Sequence, residues 1–197
     1  RRRPREGPRP AGHPRLMQIL RAADRTPMPW KNGGGVTREV AIWPPTAALD
    51  AFDWRISIAD VAQGGPFSAF PSVDRVLTVI EGSGIELAVE GLATVMLDAA
   101  AAPFAFPGDA ACAATLHKGP IRDLNLMVRR GAYVTRVRRV DGPAVTNCTA
   151  ETTFVLALEA TRLNGEHLAP EDAAIFEIGE NLNLGGGRLV LAEINPI

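Results

Sequence analysis

The chain is short of the residues that most often announce a chemistry. It has two cysteines and three histidines in 197 residues, and no His-x-His pair. Cys112 and Cys148 make at most one disulfide, so no disulfide framework carries the fold, and a reduced, cytoplasmic setting is the simpler expectation. A transition-metal site needs three or four converging ligands. His13, His117 and His167 lie far apart in the chain, so neither a metal nor another cofactor is expected. No apolar run is long enough to cross a bilayer, and the start lacks the charged-then-apolar layout of a secretory leader. No serine stands in a Gly-x-Ser-x-Gly elbow; Gly82-Ser83-Gly84 reads as a turn between strands. Cys112, set among alanines, and Cys148, without a neighbouring cation, are poor nucleophiles. Long helical patterns are missing too: the one candidate turn, residues 97–102, is cut off by Pro103.

The charge is unevenly spread. Residues 1–16 hold six arginines against the single acid Glu6, which leaves 15 basic and 21 acidic groups over residues 17–197. This Arg/Pro-rich tail has no periodic apolar face and is expected to be disordered. Its plainer reading is upstream sequence ahead of a start at Met17; the other is an arm for nucleic acid or membrane. The acidic body speaks against nucleic acid as a partner, and no membrane partner is expected.

What is present is a succession of short β-type runs. They cover residues 36–43, 53–60, 75–81, 85–89, 112–117 and 122–129, then 133–140, 152–159, 173–178 and 188–194. Turn residues bound them, among them Gly64-Gly65-Pro66, Pro107-Gly108-Asp109 and Asn164-Gly165. Asn-Gly between β-type runs is a strong hairpin signal, because both residues accept positive φ. Strands at this spacing predict an all-β sandwich or barrel. An internal echo points to duplication. Residues 75–128 and 152–194 each run through a strand, a turn, a strand, a Pro with an acid, and two closing strands.

Three consecutive glycines stand in Pro29-Trp30-Lys31-Asn32-Gly33-Gly34-Gly35-Val36-Thr37-Arg38-Glu39. Without Cβ atoms the main chain can be approached closely there. A phosphate loop needs its Lys after the glycines and a helix behind them; here Lys31 precedes them and a strand follows. Strand alternation then sorts the polar side chains. Thr37, Glu39 and Ala41 share one face of the first strand, away from Arg38, Val40 and Ile42. Arg55, Ser57 and Ala59 oppose Trp54, Ile56 and Ile58. Asn125 and Met127 oppose Leu124, Leu126 and Val128. The polar faces either meet water or line an interior, and alternation alone does not separate the two.

Several motifs, in order, carry a family resemblance. They are residues 29–39, then Phe52-Asp53-Trp54-Arg55-Ile56-Ser57-Ile58-Ala59, Gly65-Pro66-Phe67-Ser68-Ala69-Phe70-Pro71, Asp74-Arg75, and the run 119–127 ending in Asp123-Leu124-Asn125-Leu126-Met127. Together they resemble the HutD/Ves family of bacterial proteins. The resemblance implies a cupin-like fold, a double-stranded β-helix or barrel, with two tandem barrels in one chain (a bicupin). The first would span residues 17–130 and the second 131–197, with strands shared between them. It further implies an association with histidine utilisation and the binding of a small pathway metabolite. The chain departs from the family's Phe-Pro-Gly at Ser72; if that position needs positive φ, serine costs roughly 1 kcal/mol relative to glycine.

These readings predict a metal-independent site for a small carboxylate metabolite, urocanate- or formylglutamate-like, that modulates amino-acid catabolism. Lys31, Arg55 and Arg75 are its permanent cations, and an Arg fork matches a carboxylate bidentately. Asn32, Thr37, Ser57, Ser68 and Asn125 supply neutral hydrogen-bonding groups. Trp30, Phe67 and Met127 supply walls, while Trp54 equally suits sheet packing. Glu39 belongs either to an ion pair with Arg55 or Lys31, or, in the alternative of a cupin-type isomerase or hydrolase, serves as general base. The second half is expected to be structural or interfacial, as in a homodimer.

Overall fold

The computed structural model describes residues 17–197, so the Arg-rich tail lies outside the described residues. In chain order the strands are β1 (Gln18–Leu20), β2 (Pro27–Pro29), β3 (Gly35–Trp43), β4 (Trp54–Val61), β5 (Gly65–Pro66), β6 (Val73–Gly82), β7 (Ile85–Val89), β8 (Val95–Leu97), β9 (Phe104–Pro107), β10 (Cys112–Leu116) and β11 (Ile121–Arg129). They continue as β12 (Tyr133–Asp141), β13 (Ala144–Asn147), β14 (Thr152–Ala157), β15 (Thr161–Leu163), β16 (Glu166–Leu168), β17 (Ala173–Glu177), β18 (Asn181–Leu184) and β19 (Arg188–Pro196). One 3-10 turn, Ala22–Asp24, is the helical element among the described residues. No helix there is long and apolar enough to cross a membrane.

Each half is a pair of facing sheets. The first pairs β2-β3-β4-β11-β6-β9 with β5-β10-β7-β8; the second pairs β1-β17-β14-β19-β12 with β13-β18-β15-β16. The order β4-β11-β6-β9 matches β12-β19-β14-β17, and β5-β10-β7-β8 matches β13-β18-β15-β16. The echo in the sequence is thus a repeated topology. Closed barrels are not formed: the hydrogen-bonded ladders stop where the chain turns from a large sheet into a small one, leaving four separate sheets. Residues 18–20 add an edge strand to the second half's large sheet through β17. The Asn164-Gly165 hairpin forms as expected, with φ of 51° and 85° joining β15 to β16.

The two large sheets pack face to face. Trp54, Ile56 and Ile58 of β4, with Leu124, Leu126 and Val128 of β11, meet Phe154, Leu156, Val190, Ala192 and Ile194. Removing this much apolar surface from water is the main force joining the halves. Ion pairs rim the seam: Arg122 binds Asp60 in its own half and Glu171 in the other. Because that contact covers one face of β4 and β11, their other face points into the first half. The face carrying Arg55, Ser57 and Asn125 is therefore interior, which settles the choice that alternation leaves open.

The same interior in the second half is filled. Leu163, Leu168, Phe176, Leu182, Leu184, Leu189 and Leu191 close it with apolar side chains. In the first half Leu77, Val79, Leu87 and Phe106 fill only one end.

Ser72 stands at φ 58° on the surface, in the left-handed region that costs serine more than glycine. Ser72→Gly is expected to raise the unfolding free energy by about 1 kcal/mol. Urea denaturation of the two proteins reads this directly, and an unchanged or lower midpoint would contradict it.

Candidate functional site

The unfilled end of the first half is a cavity of about 600 Å³. Strands β4, β6 and β11 supply its polar wall, and the segments around Trp30 and Phe67 supply its mouth. The glycine run explains how Trp30 reaches it. The Trp30 backbone N–H donates to Gly35 O at 2.9 Å, and its indole Nε1 donates to Thr37 Oγ1 at 2.8 Å. A Cβ at Gly35 would lie 2.5 Å from Asp60 O and 3.0 Å from the Trp30 ring. Glycine there lets the ring and the β4 backbone close on β3 from two sides.

Of the residues expected to form a site, Trp30, Lys31, Asn32, Thr37, Arg55, Ser57, Phe67, Ser68, Arg75, Asn125 and Met127 all line this cavity. Lys31 and Asn32 stand exposed at the mouth, and Asn32 Oδ1 accepts from Gly34 N at 3.0 Å. Met127 is buried at the floor, packed with Phe52 and Val73. Trp54 is not part of the cavity; it packs the seam between the halves, stacked on Trp43 at 6.5 Å.

Glu39 departs from the expected arrangement. It does not line the cavity but borders a smaller depression with Leu20, Arg25 and Val40. It pairs with Ser57 and so keeps the face that carries Arg55; a bulge follows it in β3, between Glu39 and Ala41. An inserted residue bends the strand and re-aims its neighbours. The bulge also breaks the alternation read from the sequence: Val40 and Ala41 both pack into the seam, and Ile42 joins Phe52 and Met127. Glu39 keeps a link to the site, because its Oε2 accepts from Arg55 Nε at 2.9 Å.

The two arginines differ in their compensation. Arg55 is 4% exposed and has Glu39 as counter-ion, with Nη1 3.4 Å from Ser57 Oγ. Arg75 is 5% exposed and, among the described residues, has no carboxylate at ion-pair distance. Its Nη2 and Nε donate to Asn125 Oδ1 at 2.8 and 3.3 Å, and its Nη1 donates to Ser68 O at 3.2 Å. Three phenyl faces surround its Cζ, with centroids at 5.1 Å (Phe106), 5.2 Å (Phe67) and 5.7 Å (Phe70). Cation–π contact strengthens as the cation is desolvated, and Arg75 is buried. Burial lowers the Arg75 pKa from its ordinary value, while Asp123 acts in the opposite sense.

Asp123 also lines the cavity, 1% exposed, and sequence reasoning passed over it. The signal was there: it stands two residues before Asn125 on β11, hence on the same face. Its Oδ1 accepts from Asn125 Nδ2 at 3.0 Å, so Asn125 bridges Arg75 and Asp123. Burial pushes the Asp123 carboxyl up to about 7, against the pull of Arg75 and the Asn125 hydrogen bond. Among the described residues no three His, Cys, Asp or Glu side chains cluster to hold a metal ion.

The HutD family model matches residues 22–191. A Pseudomonas putida protein described as an uncharacterized 21.2 kDa protein in the hutC 3′ region is 40% identical over 144 residues, covering 72% of this chain and 73% of that protein. Protein Ves of Citrobacter koseri is 36% identical over 169 residues, covering 84% of this chain and 87% of that protein. The solved HutD of Pseudomonas fluorescens SBW25, in a formate condition, superposes with a TM-score of 0.83 at 36% identity, covering 92% of this chain and all of that one (100%). Ylba and the pirin YhhW of Escherichia coli share the cupin-like fold alone, with TM-scores of 0.68 and 0.64 at 10% identity over 95% and 92% of this chain. The match over nearly all described residues, with these identities, shows that the chain belongs to the HutD family.

Proposed function

We propose that this chain binds a small carboxylate metabolite in the first half's cavity and thereby modulates amino-acid catabolism. The observation that carries the reading is Arg75: a buried guanidinium facing a cavity, with no carboxylate of the protein at ion-pair distance among the described residues. An unpaired buried charge costs several kcal/mol. Phenyl faces and amide oxygens offset part of that, and an incoming anion supplies the rest. Arg55 presents a second fork in the same cavity. The volume suits a metabolite-sized ligand, and Trp30, Phe67 and Met127 give it apolar walls.

The two halves act as tandem cupin-like units with divided roles. The second, with its leucine-filled interior, serves as scaffold or interface, including that of a homodimer. The Pseudomonas putida relative, described by its place beside hutC, supports a role in histidine utilisation. Two free, buried cysteines fit the cytoplasm. An enzyme with Glu39 as base has less support, because Glu39 is engaged with Arg55 and stands off the cavity.

The experiment is a thermal-shift panel of formate, glutamate, N-formylglutamate, urocanate, histidine and divalent metals. At about 100 times its dissociation constant a ligand adds roughly 2.7 kcal/mol of stability. A carboxylate is expected to raise the midpoint, metals are not, and Arg55→Ala is expected to abolish the rise. If every carboxylate leaves the midpoint unmoved, the reading fails; if Arg55→Ala keeps the shift, Arg55 is not part of the site.

A further inference from the structure

We propose that Asp123 makes ligand uptake proton-linked: the protein takes one proton from solvent onto this carboxyl for each monoanion it binds in the cavity. The inference rests on the carboxylate reading above and adds to it a residue, a stoichiometry and a pH dependence.

The geometry comes first. Asp123 and Arg75 face the same cavity from adjacent strands, with the Asn125 amide between them. The amide is oriented by both neighbours. Its oxygen takes two Arg75 donors, so its nitrogen must donate, and it donates to Asp123. Asp123 accepts no other hydrogen bond among the described residues. An ionised carboxylate that is 1% exposed normally collects several donors. This one has a single donor and looks into the space the ligand would fill.

Charge bookkeeping then gives the linkage. The groups around Asp123 are Asn125 on its own strand, Arg55 and Asp60 on β4, Arg75 on β6 and Cys112 on β10 beside Arg75. Glu39 on β3 reaches it through Arg55, and Lys31 stands at the mouth. Asp60 is held by Arg38 and Arg122. Glu39 neutralises Arg55. With Asp123 ionised, Arg75 and Asp123 balance each other and the empty interior is neutral. A monoanion entering then brings an uncompensated negative charge beside a buried carboxylate. With Asp123 protonated, the anion and Arg75 balance instead. The proton moves from water to Asp123, the anion takes over as the Arg75 counter-ion, and the net interior charge is unchanged. The carboxyl's position near neutrality, pushed up to about 7, makes that exchange cheap at physiological pH.

The test uses the whole chain and formate, a monoanion that stays ionised across the range. Affinity is measured by calorimetry from pH 5.5 to 9, in pairs of buffers with different ionisation enthalpies. Affinity is expected to be flat below about pH 7 and to fall about tenfold per unit above it. Proton uptake should climb from near zero at pH 6 toward one per formate bound at pH 8.5. In Asp123→Asn both dependences should vanish. Binding with no proton uptake and a flat profile overturns the linkage and leaves the carboxylate site standing. A profile unchanged in Asp123→Asn overturns the assignment to this residue. Should that variant not fold, the difference infrared spectrum of the unsubstituted protein at pH 8.5 decides: a protonated carboxyl band gained with ligand supports the proposal, and its absence overturns it. No heat and no midpoint shift for any carboxylate on the panel at any pH overturns both readings.

Discussion

Arg75→Met is expected to weaken carboxylate binding by between about 30-fold and several thousand-fold while leaving the fold as stable as before, or more so. The binding loss follows from removing one member of a buried, hydrogen-bonded charge pair, an effect worth about 2–5 kcal/mol. The stability result has the opposite sign because the empty protein has no such pair. It holds the Arg75 guanidinium at 5% exposure without an ion-paired carboxylate, compensated by Asn125, Ser68 O and three phenyl rings. Exchanging a buried charge for an apolar side chain of similar length is often neutral or stabilising. Methionine also keeps contact with Phe67, Phe70 and Phe106, since its sulfur packs well against aromatic edges. Asn125 Oδ1 and Ser68 O lose a donor, but both border a cavity that water can enter, which limits the cost. Calorimetry with the strongest carboxylate on the panel reads the first effect and urea denaturation the second. Arg75→Lys separates charge from shape: it keeps the cation, loses the fork, and is expected to bind at intermediate strength. Unaltered affinity in Arg75→Met would place the anion on Arg55 alone.

Most strands could be placed from the sequence because their side chains alternate under a simple constraint: one face must leave water. Asn164-Gly165 and the Pro-acid steps before β9's successor and β17 carried the turns and the repeat. The motif residues of the site were also recoverable, because Arg55 and Ser57, or Asn125 and Met127, travel together at a spacing of two. What the spacing did not contain was tertiary. That β4 and β11 are covered on both faces depends on Phe154, Val190 and Ile194, more than sixty residues away from β4 in the chain. The bulge after Glu39 is a one-residue register change with no distinctive residue type, so strict alternation groups Ala41 with Thr37 and Glu39, and Ile42 with Val40, whereas Ala41 packs into the seam and Ile42 joins Phe52 and Met127. Asp123 was legible by position but not by state: a carboxyl on a strand next to an arginine reads as a solvated ion pair. It becomes a buried, singly bonded acid only when the second half seals the sheet from behind and the first half's small sheet from the front.

That state has a consequence for the empty protein. Asp123→Asn is expected to gain stability over the natural protein as pH rises, and the sign follows from linkage. A carboxyl held near 7 in the fold, against the ordinary value of 3.8, binds its proton more tightly folded than unfolded. Below about pH 4 the acid is protonated in both states and contributes nothing. Between about pH 4 and 7 the unfolded chain has released the proton while the folded one retains it, so stability falls with rising pH by up to about 1.4 kcal/mol per unit. Above about pH 7 both are ionised and the loss is complete, on the order of a few kcal/mol. Asparagine preserves the shape and still accepts from Asn125 Nδ2, but it does not titrate. The other carboxylates are present in both proteins and cancel in the comparison; among them, against the upward push of burial, hydrogen bonds from Arg38 and Arg122 lower the pKa of Asp60, and those from the Ala22 N–H, Arg21 and the Ala169 N–H lower that of Asp172. The quantity to measure is therefore a difference: unfolding free energies of the two proteins by urea at half-unit steps from pH 4.5 to 8.5, without ligand. The gap should open through pH 5 and 6 and level off near 7. Parallel curves would mean that Asp123 is ionised at ordinary acidity, solvated through the cavity mouth, and then neither its burial nor its proton linkage to a ligand stands.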